Sequence, residues 1–74
     1  MSGLPFSPFV IQVNGESVDV EAPQTLADLI VSRGLAGKRI AIERNGEIVP
    51  KSQHAGQTLQ AGDRLEIVIA VGGG

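Results

Sequence analysis

Two Asn-Gly pairs, Asn14-Gly15 and Asn45-Gly46, each lie between short runs of alternating apolar residues and fix where this chain must reverse. Both central residues of the tightest hairpin turn need positive φ, which Asn and Gly tolerate, so each pair predicts two antiparallel strands. The first hairpin joins Phe9–Val13 to Glu16–Val20, with Ile11, Val13, Val18 and Val20 on one inner face. The second joins Arg39–Glu43 to the short strand Glu47–Val49, which Pro50 ends.

Between the hairpins the period changes. Pro23 stops the second strand, and Thr25-Leu-Ala-Asp28 reads as a capping box with Asp in the usual Glu position. Leu26, Leu29 and Ile30 follow helical spacing. Gly34-Leu35 marks the stop, glycine taking the left-handed turn and Leu packing back. A helix of about nine residues is too short to stand alone and needs a sheet beneath it. Lys51–Gln60 has no clear periodicity and reads as a loop or a single helical turn. Ala61-Gly62-Asp63 is a turn, and Arg64–Val71 is the longest strand. The simplest packing lays the one helix across a mixed sheet of about five strands, with the last strand entering beside the first through a right-handed crossover. That α+β arrangement is the β-grasp, or ubiquitin-like, fold. It occupies residues 9–71, after an irregular extension over residues 1–8 and before a glycine tail at 72–74.

Composition narrows the function. Seventy-four residues make one domain. The absence of cysteine removes disulfides, thiolate metal sites and cysteine nucleophiles. Six Lys and Arg stand against eight Asp and Glu, and aromatics are nearly absent, which argues against nucleic-acid binding. No apolar run has the length of a membrane span, and Met1–Pro8 lacks the features of a secretion signal, so a cytoplasmic protein is expected. A nucleophilic triad can be written from Ser52, His54 and Asp63, but a lone loop histidine is ordinarily solvated or hydrogen-bonded. One His with scattered carboxylates does not make a metal site. Neither catalysis nor a bound cofactor is expected.

The remaining feature is the run Gly72-Gly73-Gly74 directly after the last strand. One reading is a loose terminus. The other is a projecting tail, since four residue steps from Ala70 reach roughly 13 Å when extended. Glycines would let it thread a narrow channel and present a carboxylate to another protein's active site. A carboxylate becomes electrophilic once adenylated, and a sulfur nucleophile can then displace the adenylate. If Leu65, Ile67 and Ile69 point inward, Glu66, Val68 and Ala70 point outward. Val68 and Ala70 beside Val10 would then form an apolar docking patch near the tail, or ordinary surface.

From Val10 to Gly74 the chain resembles the ThiS family, sulfur carriers of thiamine biosynthesis. The resemblance lies in Gln12–Glu16 (QVNGE), Thr25–Leu29 (TLADL), Ile42–Pro50 (IERNGEIVP), Ser52–Ala55 (SQHA), Gly62-Asp63 and Ala70–Gly74 (AVGGG). The NGEIVP segment followed by Ser-Gln-His is its most specific part, because a terminal Gly-Gly is common to many ubiquitin-like proteins. The resemblance implies that Gly74 is adenylated by an E1-like enzyme (ThiF type) using ATP. It is then converted to a thiocarboxylate with sulfur from a cysteine-derived persulfide, and thiazole synthase (ThiG type) takes that sulfur. Gly72 and Gly73 would serve threading. Two other readings remain: a carrier of molybdopterin synthesis (MoaD type) with the same tail chemistry, and a β-grasp interaction domain with an idle tail.

Overall fold

The computed structural model describes residues 6–70. Five strands, β1 (Phe9–Val13), β2 (Glu16–Val20), β3 (Ile40–Arg44), β4 (Glu47–Val49) and β5 (Arg64–Ile69), form one sheet in the order β2-β1-β5-β3-β4. Both hairpins are antiparallel and turn where the Asn-Gly pairs require. Asn14 and Asn45 have φ of 51° and 52°, and Gly15 and Gly46 follow at 83° and 90°. The last strand lies parallel to the first and antiparallel to β3. This mixed sheet under one helix is the β-grasp arrangement.

Helix α1 spans Leu26–Ser32, seven residues where about nine were expected. The capping box is complete: Asp28 N–H donates to Thr25 Oγ1 at 3.1 Å, and Thr25 N–H donates to Asp28 Oδ2 at 3.0 Å. At the other end Gly34 adopts φ +73°. Its N–H reaches Val31 C=O and Leu35 N–H reaches Ile30 C=O, both at 3.0 Å, which satisfies two of the helix's last carbonyls. Leu26, Leu29 and Ile30 are buried against Ile11, Val13, Val20, Ile42, Val49, Leu59, Leu65 and Ile67. Val18 packs at the margin of that core.

Two strand bounds are corrected: the third strand begins one residue later, at Ile40, and the last ends at Ile69. Of the two alternatives for Lys51–Gln60, the helical one holds over residues 51–56, as a 3-10 helix. Ile69 shares the helix-side face of β5 with Leu65 and Ile67 but remains 47% exposed. A seven-residue helix is about 10 Å long and cannot cover a six-residue strand of about 20 Å.

Ahead of β1, Phe6, Ser7 and Pro8 carry no regular structure, and the Phe6 ring lies 5.6 Å from that of Phe9. The expected tail, Gly72, Gly73 and Gly74, lies outside the described residues, as does Val71.

Candidate functional site

The site begins with how the fold holds β5, the strand that leads to the glycines. Ala70, the last described residue, donates its N–H to Arg39 C=O at 2.9 Å. Hydrogen bonding to β3 therefore continues one residue beyond the strand proper. On the other flank β1 ends at Val13, yet Asn14 prolongs its hold. Asn14 N–H donates to Leu65 C=O at 2.9 Å. Its side-chain amide then imitates a peptide group: Ile67 N–H donates to Asn14 Oδ1 at 2.7 Å, and Asn14 Nδ2–H donates to Ile67 C=O at 3.2 Å. The second turn asparagine serves the start of the strand, where Arg64 N–H donates to Asn45 Oδ1 at 2.9 Å and Asn45 N–H donates to Arg64 C=O at 2.8 Å.

A polar anchor secures the same strand's entry. Asp63 is almost fully buried and pairs with Arg44 (Nη2 to Oδ2, 2.8 Å), whose side chain is 15% exposed. Asp63 also accepts from Gln60 N–H and Asn45 Nδ2–H. Arg44 further donates to Gln57 Oε1 and to Thr58 C=O, tying the loop before β5 to β3. Every buried side-chain nitrogen and oxygen among the described residues has a partner.

The triad that could be written from the sequence is not assembled. His54 is buried in the 3-10 helix, and its Nε2–H donates to Val49 C=O at 3.1 Å, a carbonyl being able only to accept. Asp63 is committed to Arg44, and Ser52 is an exposed residue of the 3-10 helix. The Ser-Gln-His segment therefore does architectural work, fastening the 3-10 helix to the end of β4. No group of three or more potential metal ligands occurs among the described residues, and no helix among them is long and apolar enough to cross a membrane.

The expected docking patch is only partly assembled. Val68 is 60% exposed on the sheet face away from the helix, and Ala70 is exposed beside it. Val10 is exposed too, but at the opposite end of the sheet. The parallel register sets Gln12 against Arg64 and Val13 against Leu65, so Val10 lies level with Gly62, whose N–H donates to Val10 C=O. From that level to Val68 is about 20 Å of strand. The neighbour of Val68 is Ala41 on β3, and Ile48 of β4 lies on the same outer face. Alternation along a strand gives the face, whereas the offset between strands comes from pairing.

Around the root of the tail the structure also gathers residues that no sequence motif singled out. Lys38, Arg39, Lys51, Ala41, Val68 and Ala70 line one cavity of about 330 Å³. They converge because the start of β3 lies between the last residues of β5 on one side and the chain leaving β4 on the other. Lys38-Arg39 is visible in the sequence, but Lys51 joins it only through the β4 pairing.

Residues 10–74 match the ThiS family model. The sulfur carrier protein ThiS of Bacillus subtilis is 38% identical over 66 residues, covering 88% of this chain and 100% of that protein. A thiazole synthase of Paramagnetospirillum magneticum is 44% identical over 62 residues, covering 84% of this chain and 19% of that protein. The chain thus spans about a fifth of the length of the thiazole synthases it matches. Among solved structures, the thiamine biosynthesis protein ThiS of Geobacter metallireducens superposes with a TM-score of 0.75 at 25% identity, covering 89% of this chain and all of the other. The architecture, the turn and cap residues and these matches agree, and the chain belongs to the ThiS family.

Proposed function

We propose that the carboxyl group of Gly74 carries the sulfur. An E1-like enzyme of the ThiF type transfers AMP from ATP to this carboxylate, releasing pyrophosphate. The outer sulfur of a cysteine persulfide on the loading machinery displaces AMP to form an acyl disulfide. A second thiol of that machinery then attacks the cysteine sulfur, forming a disulfide with it and releasing the thiocarboxylate. Thiazole synthase (ThiG type) takes that sulfur for the thiazole ring. Gly72 and Gly73 pass through the partners' channels because they carry no side chains. The protein itself supplies no catalytic group and binds no cofactor; ATP belongs to the activating enzyme.

The observation that carries this reading is the family match running through Gly74, on a fold that pins Ala70 to β3 and Ile67 to Asn14. A tail rooted in a fixed strand is presented in a defined direction, which lowers the ordering cost of inserting it into a channel. The thiazole acceptor, rather than a molybdopterin precursor, is favoured by the similarity of this chain to a segment of proteins named thiazole synthase.

The apolar part of the docking surface is Val68 with Ala41 and Ala70; Val10 lies too far away to belong to it. Val68→Asp should lower the rate of thiocarboxylation, and an unchanged rate would remove Val68 from the surface. The primary test is the intact mass after incubation with ATP, a sulfur donor and the activating enzyme. Exchange of one oxygen for sulfur is expected, and it should vanish when Gly74 is deleted. An unchanged mass with a demonstrably active enzyme would leave a β-grasp binding module.

A further inference from the structure

The cavity at the root of the tail has an uneven charge. Lys38, Arg39 and Lys51 are half of the six Lys and Arg in a chain whose net charge is −2, and all three are exposed. Arg44 and Asp63 make the one ion pair found among the described residues, so none of these three cations is neutralised within that part of the chain. The carboxylates of β3, β4 and β5 lie toward the other end of the sheet. Glu43 faces Glu66, and Glu47 faces Arg44, whereas Arg39 is level with Ala70. That places Glu66 about 13 Å from the collar level along β5.

The backbones bearing these cations are held. Arg39 C=O accepts from Ala70 N–H, Lys38 N–H donates to Leu35 C=O at 3.1 Å, and Lys51 opens the 3-10 helix. Fixed stems with unpaired heads, set around the small apolar residues Ala41, Val68 and Ala70, form a positive collar with an apolar floor.

We infer that Lys38, Arg39 and Lys51 form an electrostatic docking collar for an acidic protein surface, the rim of the channel in the activating enzyme that receives the tail. The inference rests on the carrier reading above. The collar does not act on the nucleotide. A four-residue span from Ala70 to Gly74 reaches roughly 13 Å when extended, which would put the adenylation chemistry beyond the reach of these side chains. A nucleic acid or an anionic lipid surface does not suit it either, because Glu43, Glu47 and Glu66 share the same sheet and would repel an extended polyanion. A rim of carboxylates around a channel mouth meets the positive end alone.

The test measures steady-state thiocarboxylation of the full chain by its activating enzyme, varying carrier and ATP separately. The variant Lys38→Glu/Arg39→Glu/Lys51→Glu should raise KM for the carrier by about tenfold or more, leave kcat within about twofold, and lose much of its defect at high salt. KM for ATP should not change. Arg64→Glu, an equal change per residue at the far end of the outer face, should leave KM for the carrier within about twofold. The charge-preserving set Lys38→Arg/Arg39→Lys/Lys51→Arg should behave as the parent. Should the charge-reversed chain not fold by urea titration, the set Lys38→Gln/Arg39→Gln/Lys51→Gln is judged by the same criteria. An unchanged KM for the carrier, a rise in KM for ATP instead, or a per-charge effect of Arg64→Glu equal to that of the collar would overturn the inference. Failure of the parent chain itself to gain sulfur would instead defeat the carrier reading.

Discussion

Asn14 combines two roles that ordinarily fall to different residues. It holds the left-handed conformation of a hairpin turn, and its amide replaces the strand residue that β1 lacks beside Ile67. The roles can be separated by substitution. Asn14→Gly keeps the turn and removes the two amide bonds, so urea unfolding should show a loss of about 1–2 kcal/mol. Asn14→Ala adds the left-handed penalty and should cost about 1–2 kcal/mol more. If the two variants were equally stable, positive φ would not be what selects asparagine here. Asp63 gives a second comparison. Asp63→Ala strands the largely buried Arg44 guanidinium and should destabilise by about 3 kcal/mol. The double variant Asp63→Ala/Arg44→Met should recover part of that loss. The Asn-Gly turns were legible in sequence because turn chemistry is local. The amide clamp was not, because its partner stands 53 positions away.

At the scale of elements, the local signals were faithful and the long-range ones silent. The capping box and the Gly34 stop each arise from residues within a few positions, and both could be read directly. Thr25→Ala should lower stability by about 1 kcal/mol through the lost cap. Gly34→Ala should do so by about 1–2 kcal/mol, because nothing crowds a Cβ there and only φ +73° opposes it. Both effects would be read as shifts in urea midpoint at constant slope. The sequence left the segment from Lys51 between a loop and a helical turn because it lacks an amphipathic period; a buried histidine bonded to β4 locates the 3-10 helix. The collar was hidden for a related reason. Lys51 meets Lys38 and Arg39 only after Glu47–Val49 has paired with β3. Face alternation correctly turned Val68 outward, but it could not supply the β1–β5 offset that carries Val10 to the other end.

At the scale of the whole fold, a core of eleven buried apolar residues among those described unites the helix with all five strands. Leu26 lies in it with no measurable exposure, so Leu26→Ala should cost about 2–5 kcal/mol. The loss should appear in the same urea midpoint whether followed by helix or by strand signals, as expected of one cooperative unit. At the same scale, one residue appended after Gly74 should leave that midpoint unchanged yet abolish sulfur gain in the mass assay, because the carboxyl group is displaced. The strand order has a mechanical consequence. β5 is the central strand, flanked by β1 on one side and β3 on the other. A partner drawing in the tail pulls along the axis of β5, and the force loads both flanking ladders in shear. Hydrogen bonds sheared in parallel resist together, whereas those of an edge strand peeled sideways yield one at a time. Under the proposed function, the sheet would thus serve as an anchor for a terminus handed between successive enzymes.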